Sequence, residues 1–384
     1  SDMQQIREIL YSNAQIVTRR AVLKGSLIVE NGMIAALGDV DSESAESIDF
    51  QGDLLIPGLI ELHTDNLEKN IQPRPGVIWP SMTAAAIAHD VQVAGAGITT
   101  VFDAIALGDV RDNGLRTKIV SDSISAISKM KENGLFRADH QIHLRCEISS
   151  EEMEEMLMTH GASDQVRLIS IMDHTPGQRQ WSNLDDWRNF HRDKKWTDDE
   201  ARVILENLLE LQNRFADKHR KIAVEFARER NIPLASHDDT TAADCRQAAK
   251  EGVSISEFPT TRNAALAAKE QSMSVIMGAP NAVRGRSHSG NIETLEIAEQ
   301  GLLDGLSSDY VPSSLLQAAF VIHDRLSIPL PDTIAMVSAN IAEMVKMPDR
   351  GEIAIGKRAD LVRVAVADTI PVVKQVWRHG VRIV

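Results

Sequence analysis

The sequence predicts an α/β fold: a (β/α)8 TIM barrel, with a small β-sandwich domain made from both chain ends. Three observations carry this reading. Between residues 57 and about 348, strand-like runs alternate with helix-like runs eight times, as βα units do. Residues 1–56 and 349–384 are instead short apolar runs separated by turn residues. Finally, most of the eight predicted strands end in His, Asp or Glu, and a barrel carries its site at the C-terminal ends of its strands. A doubly wound open sheet is the alternative, but no Gly-rich nucleotide fingerprint follows an early strand.

The N-terminal β segment reads Ala21-Val22-Leu23 and Ser26-Leu27-Ile28-Val29, a turn at Glu30-Asn31-Gly32, then Met33-Ile34-Ala35-Ala36-Leu37. The C-terminal segment repeats the pattern with Leu361-Val362-Arg363-Val364, Val372-Val373-Lys374-Gln375-Val376-Trp377, a His379-Gly380 turn and Val381-Arg382-Ile383-Val384. The barrel strands are predicted at 56–62, 98–103, 141–147, 166–172, 232–236, 253–257, 273–277 and 304–308. Met82 to Ala94 is an Ala-rich helix ended by Gly95 and Gly97. Ser149 to Glu152 and Thr197 to Glu200 read as capping boxes. The second opens a helix with Ile204, Leu208, Leu211 and Phe215 on one stripe. The stretch of about 175–231 is too long for an ordinary βα connection and is predicted to be a helical insertion. It holds three of the five Trp residues and reads as barrel padding, a homodimer surface or a partial lid.

Composition bounds the function. The 384 residues are 43% hydrophobic and 25% charged, an ordinary globular balance. Two cysteines exclude a disulfide scaffold and suit a reducing cytoplasm. No apolar run approaches the roughly 18 residues of a membrane span. A net charge of −14 argues against a general nucleic-acid binder, whose affinity rests on neutralising phosphates. A local Arg and Lys cluster still accommodates a small phosphorylated ligand.

The strand ends carry the chemistry. In a strand, residues i and i+2 share a side, so His63 and Asp65 face one point. The third strand places His143, Arg145 and Glu147 together; the fourth ends in Asp173-His174, the fifth in His237-Asp238-Asp239 and the eighth in Ser308-Asp309. His63, Asp65, Glu147, His174, His237 and Asp309 are therefore the candidate metal ligands, with Asp173 an alternative to His174. Asp103 and Glu257 read as structural or as groups that back the ligands, and Asp238 and Asp239 as caps of the next helix. Buried charged groups are costly unless paired or metal-bound. Six such ligands exceed one tetrahedral site and suit two divalent cations, Zn, Mn or Fe, with Glu147 bridging. A cation pair lowers the pKa of water to near neutral, and Asp309 is placed to take its proton and pass it to the leaving group.

These motifs resemble a known group. Ile56-Pro57-Gly58-Leu59-Ile60-Glu61-Leu62-His63 and the Gly351 to Val362 run are similar to the two sandwich–barrel junctions of the amidohydrolase superfamily. A narrower resemblance, to the phosphonate-metabolism PhnM family, rests on several long runs. They are His63 to Asn70 followed by Gln72-Pro73-Arg74-Pro75, then Met172 to Gln178, Ala235 to Asp239, Gly278 to Asn281, and Arg284-Gly285 with Ser287 to Asn291. Asp65 stands where the superfamily more often has His, and no Lys occupies the bridging position. The resemblance implies hydrolysis of a ribose 5-triphosphate to a 5-phosphate and pyrophosphate, in the carbon–phosphorus lyase pathway. It also implies cationic residues around the substrate. Lys69, Arg74, Arg145, Arg284 and His288 are the main candidates, and Arg179, Arg262 and Arg286 are others. The alternatives are a C–N hydrolase on the same metals and a metal-free scaffold. Fewer cations would suit the first, and the intact ligand set argues against the second.

Overall fold

The computed structural model describes residues 7–108, 115–177, 183–285 and 290–384. Contacts divide the chain into two compact units: Ser1–Val101 with Gly134–His140 and Gly305–Val384, and Phe102–Asn133 with Gln141–Asp304.

The chain ends form one sheet. Its N-terminal strands are β1 (Glu8–Val17), β2 (Val22–Glu30), β3 (Met33–Gly38), β4 (Glu46–Asp49) and β5 (Leu54–Pro57). The barrel strands follow: β6 (Leu59–Thr64), β7 (Ile98–Leu107), β8 (Asp139–Glu147), β9 (Val166–Met172), β10 (Leu234–His237), β11 (Ile255–Glu257), β12 (Ser274–Gly278) and β13 (Gly305–Ser307). The end sheet is completed by β14 (Leu361–Ala367), β15 (Ile370–Arg378) and β16 (Val381–Arg382). Its order is β16-β15-β14-β5-β1-β2-β3, with β4 beside β1, so β14 on β5 joins the two ends of the chain.

This sheet curls on itself. The turns at Asn31-Gly32 and His379-Gly380 both take positive φ, the left-handed geometry of tight hairpins. They meet back to back: a Cβ on Gly380 would lie 2.7 Å from the Cα of Gly32. The space enclosed is filled by Tyr11, Phe50 and Trp377, whose rings lie 5.0–5.9 Å apart, with Ile16, Leu27 and Leu361 around them.

The predicted first barrel strand, 56–62, is split in the structure. Leu54–Pro57 pairs with β14 in the end sheet, and Leu59–Thr64 starts the barrel. Gly58 is the joint, and a Cβ there would meet Thr99 Oγ1 at 2.1 Å. Sequence reads a continuous apolar run because both sides of the joint are buried in different cores.

The eight barrel strands run in the order β13-β12-β11-β10-β9-β8-β7-β6, each close to its predicted position. A parallel bridge between Thr64 and Asp309 joins the first to the last and closes the (β/α)8 barrel. β6 and β10 are buried along their whole length, which is why they read as unbroken apolar runs with polar ends.

The long connection before β10 holds the helix Leu184–Phe190 and the 32-residue helix Asp198–Glu229. Thr197 and Glu200 form the expected capping box. Leu208 is buried against Trp187, with Ile204 beside it, as the stripe predicts. The C-terminal part of that helix buries His219, Ala223, Val224, Phe226 and Ala227, so it is the ordinary return helix of a βα unit. The other expected capping box fails: the helix Met153–His160 starts from Glu152 with no side-chain cap. Ser149 instead donates to Asp173 and Ser150 to Glu152.

Candidate active site

In the first unit, β6 and β13 bring His63, Asp65 and Asp309 together. His63 Nε2 lies 3.4 Å from Asp65 Oδ2 and 3.8 Å from Asp309 Oδ1. His63 is buried, while both carboxylates are part-exposed. Asp309 sits at φ 53, in the left-handed region that only short polar residues and Gly enter readily. Its carbonyl accepts the Asp65 N–H at 2.8 Å and the Thr64 hydroxyl at 3.3 Å, which holds that conformation. Beneath them Glu61 is fully buried, and burial pushes its carboxyl up to about 7, the bonds from Ser308 and His63 opposing the rise.

In the second unit, β8–β11 pair in parallel and bring Glu147, His174, His237, Asp238 and Glu257 together. His174 directs Nδ1 at Glu147 Oε2, 2.8 Å away, and its backbone N–H donates to the other oxygen at 3.2 Å. His237 Nδ1 lies 3.6 Å from Glu257 Oε1, and the two imidazole rings are 5.6 Å apart and nearly perpendicular. Burial opposes charge on His237, but Asp238 and Glu257 outweigh it and push the imidazole up to about 9. Burial likewise opposes charge on Asp238, yet His237, His174 and Arg145 hold its carboxyl below the usual range.

Each unit thus holds a donor set fit for a divalent cation: His63, Asp65 and Asp309 in one, and His174, His237 and Asp238 in the other. Within each set the donor atoms lie within 4.8 Å of one another, and nitrogen mixes with oxygen.

Of the residues expected at the site, Asp173 is absorbed into structure. It accepts from Ser149, from the Thr175 N–H and from Gln212, while the neighbouring His174 turns its imidazole to Glu147. The cap assigned to Asp238 and Asp239 belongs to Thr241, which forms a capping box with Asp244. Glu147 lies against His174 as its hydrogen-bond partner. Glu257, read from sequence as structural or as backing the ligands, faces two imidazoles, His237 and His143. The missed residues are Glu61 and Asp238. Glu61 shares the i, i+2, i+4 alternation with His63 and Asp65, a signal that points to it.

Among the cations, Lys69 donates to the Tyr310 carbonyl at 3.0 Å, next to Asp309. Arg74 lies in the exposed turn after the helix Asn66–Ile71. Arg145 is half-buried on β8, with its Nε 3.1 Å from Met172 Sδ. Arg284 is exposed at the end of the helix Ala279–Arg284. Arg262 is engaged with Gln300. His288, Arg179 and Arg286 lie outside the described residues.

No protein-family model matches the chain. A curated relative does: α-D-ribose 1-methylphosphonate 5-triphosphate diphosphatase of Escherichia coli K12, 43% identical over 378 residues, covers 98% of this chain and 100% of its own. A dihydroorotase of Methanopyrus kandleri is 30% identical over 105 residues, only 23% of this chain and 24% of its own. Among solved structures, N-isopropylammelide isopropylaminohydrolase of Burkholderia multivorans superposes with a TM-score of 0.65 at 16% identity, over 98% of both chains. N-acetylglucosamine-6-phosphate deacetylase of Pasteurella multocida gives 0.62 at 15%, over 98% of this chain and 99% of its own. Those two share the fold. The identity and end-to-end coverage of the first relative go further: the chain belongs to the α-D-ribose 1-methylphosphonate 5-triphosphate diphosphatase family.

Proposed function

We propose that the protein hydrolyses α-D-ribose 1-methylphosphonate 5-triphosphate, the substrate in its relative's name, and that the products are the 5-phosphate and pyrophosphate, in phosphonate catabolism. The observation that carries this reading is full-length identity of 43% in a chain with His, Asp and Glu grouped at its barrel strand ends. The C–N hydrolase reading has no full-length relative behind it: the dihydroorotase match covers 23% of this chain, and the solved structures at 15–16% identity share the fold alone.

The proposed ligands are His63, Asp65 and Asp309 for one divalent cation and His174 and His237, with Glu147, for a second. Zn, Mn or Fe suits this donor chemistry. Bound there, the cations would supply Lewis acidity and acidify water. Asp309 accepts the proton of the attacking water. The water oxygen forms a bond to the α-phosphorus, the α–β bridging P–O bond breaks, and pyrophosphate leaves. Asp309 then passes the proton to the departing oxygen. Lys69, Arg74, Arg145, Arg284 and His288 bind the phosphate oxygens, where fixed positive charge offsets the charge that builds in the transition state.

The described residues contain no helix long and apolar enough to cross a membrane. We place the enzyme in the cytoplasm, which the two free, buried cysteines suit. Its partner is a phosphorylated small molecule, with no role in nucleic-acid binding. The helical insertion is the proposed surface for a homodimer. The test is phosphorus NMR of the metal-loaded protein with ribose 5-triphosphates, beside an amide and nucleobase panel. Pyrophosphate and a 5-phosphate are expected; turnover of the amide panel alone would reject the proposal.

A further inference from the structure

The end of β10 carries a carboxylate whose expected task, capping the next helix, is done by Thr241. Asp238 instead occupies the left-handed region at φ 57, and its N–H donates to the Glu257 carbonyl at 3.0 Å. A non-glycine residue there costs roughly 1–2 kcal/mol, so the surroundings must hold it. The consequence is an orientation. Asp238 Oδ2 lies 3.2 Å from His237 Nε2 and 3.8 Å from His174 Nε2. The opposite ring nitrogens already face carboxylates, Nδ1 of His174 at 2.8 Å from Glu147 and Nδ1 of His237 at 3.6 Å from Glu257. Both imidazoles are therefore backed by a Glu and turn Nε2 toward the same Asp oxygen. Imidazoles that ligate metal characteristically give their other nitrogen to a carboxylate in this way.

We propose that Asp238 is a metal ligand, completing a two-nitrogen, one-oxygen set with His174 and His237, and that Glu147 and Glu257 orient the imidazoles instead of binding the ion. The proposal rests on the metal-hydrolase reading and sharpens it, replacing Glu147 by Asp238 in the ligand set of the second cation. The three donor atoms lie within 4.8 Å of one another; His237 and Asp238 are buried and His174 is half-buried. A purely structural ion pair between Asp238 and His237 is the competing account, and it makes a different prediction. Its loss would lower the stability of the metal-free protein and leave metal affinity alone.

The test is calorimetric titration of chelator-stripped protein with Zn(II) and Co(II), for wild type, Asp238→Asn, Glu147→Gln and Glu257→Gln. Loss of an orienting carboxylate weakens metal binding by about 10–100-fold. Asp238→Asn is expected to exceed that range, or to lose one equivalent of metal, and to change the visible Co(II) spectrum. Circular dichroism of the metal-free Asp238→Asn protein should stay native, which separates lost ligation from lost folding; a lower melting temperature is expected under either account, because the Asp238–His237 contact is weakened. Wild-type stoichiometry and affinity in Asp238→Asn, or a loss no larger than that of Glu147→Gln, would overturn the assignment. Absence of metal binding by the wild type would instead reject the underlying hydrolase reading.

Discussion

Glu61 on β6 accepts the backbone N–H of Ser308, the residue before Asp309, on one carboxylate oxygen; its other oxygen accepts the His63 N–H at 2.8 Å. One buried side chain therefore fixes the backbone beside two proposed ligands on neighbouring strands. Removing the acceptor strands donors in an apolar setting. Glu61→Leu should cost about 2–6 kcal/mol, roughly 1–3 for each buried N–H left unsatisfied. Glu61→Gln keeps one acceptor and should cost about half as much. Urea unfolding midpoints read both, and wild-type midpoints would show that water or relaxation replaces the carboxylate.

His237→Ala should abolish turnover with the fold intact. The imidazole is buried between Asp238 and Glu257, so its loss also leaves two acidic groups facing each other without it. The circular dichroism spectrum should stay native while pyrophosphate release falls to background. Chelation of wild type should do the same, reversibly on addition of Zn, Mn or Fe. Near-normal activity in the variant would remove His237 from the site.

Lys69 reaches the Tyr310 carbonyl beside Asp309, which puts a flexible cation near the proposed site. A charge-assisted phosphate contact contributes about 1.5–3 kcal/mol. Lys69→Met should therefore lower kcat/KM by about 10–100-fold, mainly through KM. A change in kcat alone would place Lys69 elsewhere in the reaction.

Arg350 ties the start of the C-terminal segment to the barrel. Its guanidinium donates to Asp139 at 2.7 Å and Thr100 at 3.1 Å, and pairs with Asp349 at 2.9 Å. Arg350→Met removes the buried cation that Asp139 faces, a loss of about 3–5 kcal/mol for a buried pair. The Arg350 hydrogen bond holds the Asp349 carboxyl below the usual carboxylate range. Stability from a lowered folded pKa is present above the unfolded value and lost as pH falls through the folded one. The melting-temperature gap between wild type and Arg350→Met should therefore narrow below about pH 4. A gap independent of pH would mean that the Asp349 arm contributes nothing.

Thr197 accepts the Glu200 N–H while Glu200 accepts the Thr197 N–H, closing the start of the 32-residue helix. Thr197→Ala should cost about 1 kcal/mol and leave kcat unchanged. A large loss of activity would instead favour a lid role for the insertion.

Much of this protein was written locally. The eight barrel strands, the turns at Gly32 and Gly380 and the Thr197 cap follow from short apolar runs, positive-φ residues and capping chemistry over a few residues each. The placement of His63 with Asp65, and of His174 and His237, at strand ends was legible because the C-terminal ends of parallel strands point the same way. Tertiary structure decided what local pattern leaves degenerate. An apolar run does not say which of two cores it enters, so the break at Gly58 needed the packing against Thr99. A carboxylate does not say what it faces, so Asp173 went to Ser149, Thr175 and Gln212, while Asp238, turned by its left-handed backbone, went to the two imidazoles. Charge placement depends on φ/ψ at single residues and on neighbours far away in sequence, and neither is set by residue type alone.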